Sequence, residues 1–366
     1  MRPFRMKDSK PATNQYIRLK ILAIFLTLAA GALFVYFILQ VGLAEIWNGI
    51  GRVGPGGFVL IFLVYSIRSA LRSLAWCLSV ESPYGLRFRD AFQAVIIGEA
   101  MSSLIPLGIF VSGMSKALAV RHKLPLVIGL SSLAVENLFY SLGTGLFIAF
   151  GAIQLLLNFN LSDFWFWTSA LLVAIVAILL IGGFVMIVRQ WHFASAVAGW
   201  LYEKGFLRFW LATGRADIKF FEDRIYGFYR RQPRRFLPIC LLEAAFHLLG
   251  VLEVWLILFF IGEIVPTLFS AFLLESVSRV IAVIFKLVPF VLGVDEAAAQ
   301  FITEILQLGG GLGVTLAVVR KGGRVFWAAI GVLLLVRRGL SIGEIFQNSK
   351  SSPEEDKKFI SPSEQT

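Results

Sequence analysis

Long apolar runs recur along the chain, separated by short polar or basic segments. A spanning helix needs about 20 mostly apolar residues. Runs that meet this are 19–41, 57–80, 124–153, 164–188, 236–262 and 312–336. Two further stretches, 91–120 and 271–302, are apolar but interrupted. Each acquires a glutamate (Glu99, Glu275), reaches a proline (Pro106, Pro289), turns at small residues and leaves on a polar, Ala-rich helix. Residues 91–105 would rise only about 22 Å as a helix, short of the hydrocarbon core of about 30 Å. This first broken hairpin reads as re-entrant. The first arm of the second, 270–288, would rise about 28 Å, so a dip and a full crossing both stay open there.

The pattern predicts an all-α, polytopic integral membrane protein. It has about six full transmembrane helices plus two re-entrant broken hairpins. Each half reads span, span, hairpin, span, one half starting inside and the other outside. That is an inverted repeat, and paired interrupted segments in its halves point to a transport site. The expected divisions are a basic N-terminus (1–18), a first repeat (19–153), a second repeat (154–340) and a disordered tail (341–366). Within the second repeat lies an insert at 191–235.

Composition agrees. The chain is 58% hydrophobic and 16% charged, too apolar for a water-solvated domain of this size. Net charge is +11, but the excess sits in connections. The leading segment carries Arg2, Arg5, Lys7, Lys10, Arg18 and Lys20 against Asp8. Residues 189–235 hold ten basic and four acidic side chains, whereas 292–309 hold Asp295, Glu296 and Glu304 with no Lys or Arg. The positive-inside rule then places both termini in the cytoplasm, with the protein in the cytoplasmic (inner) membrane. This charge pattern is one of membrane orientation, not of nucleic-acid binding. An uncleaved first span is expected rather than a signal peptide. The insert interleaves aromatic and basic residues, as an amphipathic segment on the inner leaflet would. A solvated linker is the plainer alternative. Cys77 and Cys240 lie in apolar runs, and two cysteines with three histidines give no metal-site spacing. No cofactor is expected.

Ionisable residues at membrane depth are costly and usually face a cavity or a partner. Arg68 and Arg72 share one helix face and suit a lipid phosphate; snorkelling to the interface is the bland reading. Glu99 and Lys116 would meet if the first hairpin folds back, as a structural pair or a substrate contact. Ser112 and Gly113 begin the returning arm, where a half-helix N-terminus favours an anion; a simple turn is the alternative. Glu275 and Arg279 are spaced to pair on one helix. Lys286 precedes Pro289, and Asp295 and Glu296 open the exit arm, where capping alone would explain them. Glu136 and Arg324 occupy corresponding positions of the two halves, so a contact across the pseudo-axis is expected. Arg320 and Lys321 could mark the outer interface instead. Glu243 and His247 share a face, as a proton relay or a helix-to-helix hydrogen bond.

Three stretches carry a resemblance: GEAMSSLIPLGIFVSGMSKAL, LAVENLFYSLG and VPFVLGVDEAAA. With them the chain resembles flippase-like membrane proteins that share the transmembrane region of lysylphosphatidylglycerol synthases. The likeness extends over roughly residues 20 to 340. The first hairpin departs from the usual form, with Ser112, Gly113 and Lys116 where Gly–acidic–x–x–Arg is more typical. The resemblance implies a polytopic inner-membrane protein that moves or holds a lipid: aminoacylated phosphatidylglycerol, a polyprenyl-linked sugar or a hopanoid-pathway lipid. The synthases add an aminoacyltransferase domain after the spans. The short tail here leaves no room for one, so no lipid aminoacylation by this chain alone is expected.

The leading functional expectation is therefore a flippase or transporter for an anionic or isoprenoid-type lipid, with membrane lipids as partners and no catalytic residues. A non-catalytic subunit assisting a partner synthase is the alternative, and a homo-oligomer is compatible with either. A lipid-phosphate enzyme finds no support in an Asp-rich motif, a nucleophile–His pairing or a Gly-rich phosphate loop.

Overall fold

The computed structural model describes residues 28, 32, 34–104, 108–189, 192–204, 219, 222–228, 230–262, 266–285 and 291–338. Pro106, Lys286 and Pro289, most of the basic N-terminus and first span, part of the insert and the tail lie outside them. Among the described residues every regular element is helical.

Helix α1 (Leu43–Ser79) is broken at Gly54, whose φ of 60° and ψ of 173° are non-helical, just before Pro55. Proline cannot donate into the preceding turn, so the break falls there. Next come α2 (Phe88–Leu104), α3 (Gly108–Ala119), α4 (Leu126–Asn158), α5 (Asp163–Arg189) and α6 (Phe193–Glu203). The second half holds α7 (Pro233–Ile261), α8 (Leu268–Ile284), α9 (Val294–Ile305) and α10 (Gly310–Arg337). Among the described residues four helices are long and apolar enough to cross a membrane: α1, α4, the Asp163–Gly183 part of α5, and α7. Helix α10 has the length, at 28 residues, but carries Arg320, Lys321 and Arg324. Of the expected first span, 34–41 are helical. Leu171, Ile178, Leu179 and Ile181 of α5 are all exposed, a surface that only lipid can solvate.

The two interrupted stretches form hairpins of equal build. Each has a first arm of 17 residues and a second of 12. These arms rise about 26 Å and about 18 Å. Within each hairpin the arms pack together. The second arms rest on the last helix of their own half, α3 on α4 and α9 on α10. The first arms are exchanged: α2 packs on α10, and α8 packs on α4. An inverted repeat joined about a central axis has this pattern. Glycines permit the exchange. A Cβ on Gly331 of α10 would come within 2.6 Å of the Ile96 carbonyl oxygen of α2. At Gly151 of α4 it would collide with Ser276 of α8. Small residues let helix backbones approach closely where lipid supplies no hydrophobic driving force.

Side-chain contacts identify the two ends of the bundle. At one end, Arg338 bonds the Ala119 carbonyl and Gln93, and Arg235 donates to the Val80 carbonyl at 2.6 Å. The insert docks here: Arg231 and Arg224 reach Glu81 at 2.9 and 3.4 Å. Glu222 accepts from the Ser195 N–H at 3.0 Å. At the opposite end, Arg52 donates to the Ile261 carbonyl at 3.0 Å. A cavity of about 560 Å³ there is lined by Glu45, Asn48, Arg52 and Thr315.

Candidate functional site

Between the two ends, helices α1, α2, α4, α7, α8, α9 and α10 surround a cavity of about 200 Å³. Its depth follows from the helices that supply it. Arg68 lies about 20 Å along α1 from Pro55. Glu99 lies about 17 Å along α2, Arg279 about 17 Å along α8 and Arg320 about 15 Å along α10. The hairpins thus bring their polar groups to the middle of the bundle from opposite ends.

Five guanidinium groups line the cavity, those of Arg68, Arg72, Arg279, Arg320 and Arg324. Three carboxylates face them, Glu99, Glu253 and Asp295. Further carboxylates stand behind the arginines. Glu275, fully buried, receives Arg279 Nε at 2.8 Å and Arg320 at 2.6 Å, with Arg68 at 3.6 Å. Arg68 also pairs with Glu253. Glu136 accepts two bonds from Arg72, at 2.9 and 2.6 Å. Arg324 meets Asp295 at 2.6 Å, and Lys321 pairs with Glu296. Burying charge is tolerable only with such pairing. Glu99 accepts from Tyr65 at 2.9 Å and Ser69 at 3.4 Å. Aromatic faces complete the wall. Phe246 lies between Arg68 and Arg279, at 4.6 and 5.2 Å, and Arg72 covers Tyr140 at 4.3 Å. Among the described residues Arg68 Nε is buried with no hydrogen-bond partner.

Several expectations need correction. Arg68 and Arg72 are paired internally and do not snorkel. Glu136 and Arg324 do not form the expected pair. Glu136 is held by Arg72 and Arg324 by Asp295, because each half's charge finds a nearer partner on an adjacent helix. Asp295 and Glu296 sit in the first turn of α9, but the α10 cations engage both, so capping alone does not explain them. Arg320 and Lys321 face the interior instead of marking an interface. Ser112 and Gly113 are not at a helix start. Helix α3 begins at Gly108, so by Ser112 the backbone N–H groups are within the helical ladder. Neither they nor Lys116 are among the described lining residues. The Lys116 stem instead lies over Gly98, next to Glu99.

Other expectations match the geometry. Glu275 and Arg279 pair along α8. His247 meets Thr144 at 3.3 Å, the helix-to-helix bond. Tyr65, Tyr140, Phe246, Glu253 and Ser278 also line the cavity, and the sequence pattern does not single them out. Glu253 carried a usable signal, an acid within an apolar helix. Phe246 carried none among 34 phenylalanines.

No curated protein and no solved structure matches the chain. A family model does match, over residues 21–331, and its description is lysylphosphatidylglycerol synthase TM region. Those residues contain every side chain that lines the central cavity, and this multi-pass membrane protein belongs to the lysylphosphatidylglycerol synthase transmembrane-region family.

Proposed function

We propose that the chain moves lipids with an anionic head group, phospholipids or polyprenyl phosphates, between the leaflets of the cytoplasmic membrane. The observation that carries this reading is that five guanidinium groups reach the cavity wall itself against three carboxylates, while Glu136 and Glu275 stand behind them. The bare Arg68 Nε supports it. Guanidinium forks match phosphate oxygens in pairs, and a cavity of about 200 Å³ holds a phosphate with part of its ester group. Acyl or isoprenoid tails stay in the surrounding lipid. Arg68, Arg72, Arg279, Arg320 and Arg324 take the phosphate; Glu136, Glu253, Glu275 and Asp295 neutralise them when the cavity is empty.

In this reading the end that docks the basic insert is cytoplasmic. Hairpin α2–α3 is re-entrant from that side, and α8–α9 from the outer side. Rocking of one half on the other, pivoting at the exchanged arms, opens the cavity to each leaflet in turn. No bond is made or broken in the cycle, so the chain acts as a carrier and not as an enzyme.

The test is mass spectrometry of lipid retained after purification in mild detergent. An anionic lipid should remain at near-stoichiometric level, and Arg279→Gln combined with Arg324→Gln should release it. Retention of only the bulk lipid mixture, the same in both proteins, would remove the cavity as a lipid site.

A further inference from the structure

Beside the cavity, along the seam of α4 and α7, lie buried polar atoms that the lipid site does not use. Both carboxyl oxygens of Glu243 lack a hydrogen-bond partner among the described residues, and so do Glu136 Oε2 and His247 Nδ1. Glu243 is only 2% exposed. It stands about 15 Å along α7 from Pro233, and Glu136 stands about 15 Å along α4 from Leu126. The charged groups facing Glu243 are Arg72 of α1, Glu136 of α4 and Lys116 of α3. Tyr140 of α4 lies over Arg72. On α7 itself, Cys240 and His247 flank Glu243, and Gly143 of α4 packs against both Glu243 and His247. The α8 groups Arg279 and Glu275 act on His247, with Arg68 and Arg72.

Among the described residues every other acid around the cavity has a cation or a hydroxyl donor. Glu243 has neither within hydrogen-bond reach there, so the cations facing it, Arg72 and Lys116, act on it only through space. The Arg72 guanidinium is shared: it holds Glu136 and also lines the lipid cavity. We propose that Glu243 is a proton-binding site coupled through Arg72 to the head-group site, so that a lipid anion and a proton load together. An anion seated on Arg72 offsets the positive charge that favours the Glu243 carboxylate. Glu243 then takes a proton from a hydronium ion of the bulk solvent: one O–H bond forms on the carboxyl, one breaks on the hydronium, and a water molecule is left. The proton leaves as the anion leaves. By linkage, acid must strengthen anion binding as much as the anion strengthens proton binding. A proton gradient can therefore drive the carrier.

The inference rests on the head-group reading above, and the experiment separates the two. The probe is dihexanoyl phosphatidylglycerol, a phosphodiester that does not itself titrate near neutral pH. Its binding to the full chain in nanodiscs is measured by calorimetry in buffers of different ionisation enthalpy, which counts protons. Uptake of up to about one proton per probe is expected, with affinity rising by up to about tenfold per pH unit lowered from neutral. Glu243→Gln should keep binding and lose both effects. Binding with no proton uptake in the natural chain would overturn the coupling and leave the head-group site standing. Uptake that persists in Glu243→Gln would also overturn it. Absence of probe binding in the natural chain would overturn the head-group site and the coupling together. The count in the natural chain needs no variant, so misfolding of Glu243→Gln does not block the test.

Discussion

Arg320 of α10 donates to the Glu275 carboxylate of α8 across 2.6 Å. Glu275 also gathers Arg279 from its own helix and Arg68 from α1. One buried acid thus ties the second hairpin to both halves of the bundle. Removing one partner of a buried charge group costs about 3–5 kcal/mol, because the other charges are left uncompensated. Glu275→Ala should therefore lower thermal stability in nanodiscs well beyond the ordinary point substitution. An unfolding temperature equal to that of the natural chain would show that the arginines do not depend on Glu275.

The Arg72–Glu136 pair separates stability from binding. Arg72→Gln and Glu136→Gln should each destabilise the protein, for the same reason. The double substitution should recover most of that loss, since neutral amides can bond each other. It should not recover lipid retention, because the cavity then has four guanidinium groups instead of five. Full recovery of lipid retention in the double variant would place Arg72 outside the head-group site.

The exchanged hairpin arms make a steric prediction. Gly331→Val drives side-chain atoms into the Ile96 carbonyl, and Gly151→Val into Ser276. Overpacking costs about 1–3 kcal/mol at ordinary core sites, and here backbone stands in the way at Gly331. Both variants should give poorly folded protein by size-exclusion chromatography. Gly182→Ala and Gly322→Ala, with open space at the new Cβ, should behave as the natural chain does.

Membrane sidedness is testable by labelling single cysteines in a background without Cys77 and Cys240. Cysteine at Lys123, just after the first hairpin, should react from the same side as cysteine at Glu81. Cysteine at Gln307, just after the second, should react only from the opposite side. Labelling of positions 81 and 123 from opposite sides would mean that the first hairpin crosses the membrane.

The sequence made the hairpins legible because a proline, small residues and a glutamate interrupt otherwise apolar runs. Length marked 91–105 as short for a span, but for 270–288 length alone left a dip and a full crossing open. Arg68, Arg72, Arg279 and Glu275 were legible because a charge in an apolar helix stands out. Their partners were harder. Arg68–Glu253 joins helices far apart in the chain, and no periodicity encodes which helices meet. The assumed symmetry misled for Glu136 and Arg324, since each is held by a charge on a neighbouring helix, Arg72 and Asp295. The exchange of first arms was equally hidden. Gly151 and Gly331 look like any glycine in a membrane helix until the opposing backbone is seen.

The most direct measurement is leaflet-resolved translocation of a short-chain fluorescent phosphatidylglycerol in proteoliposomes, comparing the natural chain with Arg279→Gln. Arg279 lines the cavity and is held by Glu275, and losing one charge-assisted contact of about 1.5–3 kcal/mol should slow translocation at least about tenfold. Equal rates in the two proteins, or a natural chain no faster than empty liposomes, would contradict lipid movement through the arginine-lined cavity.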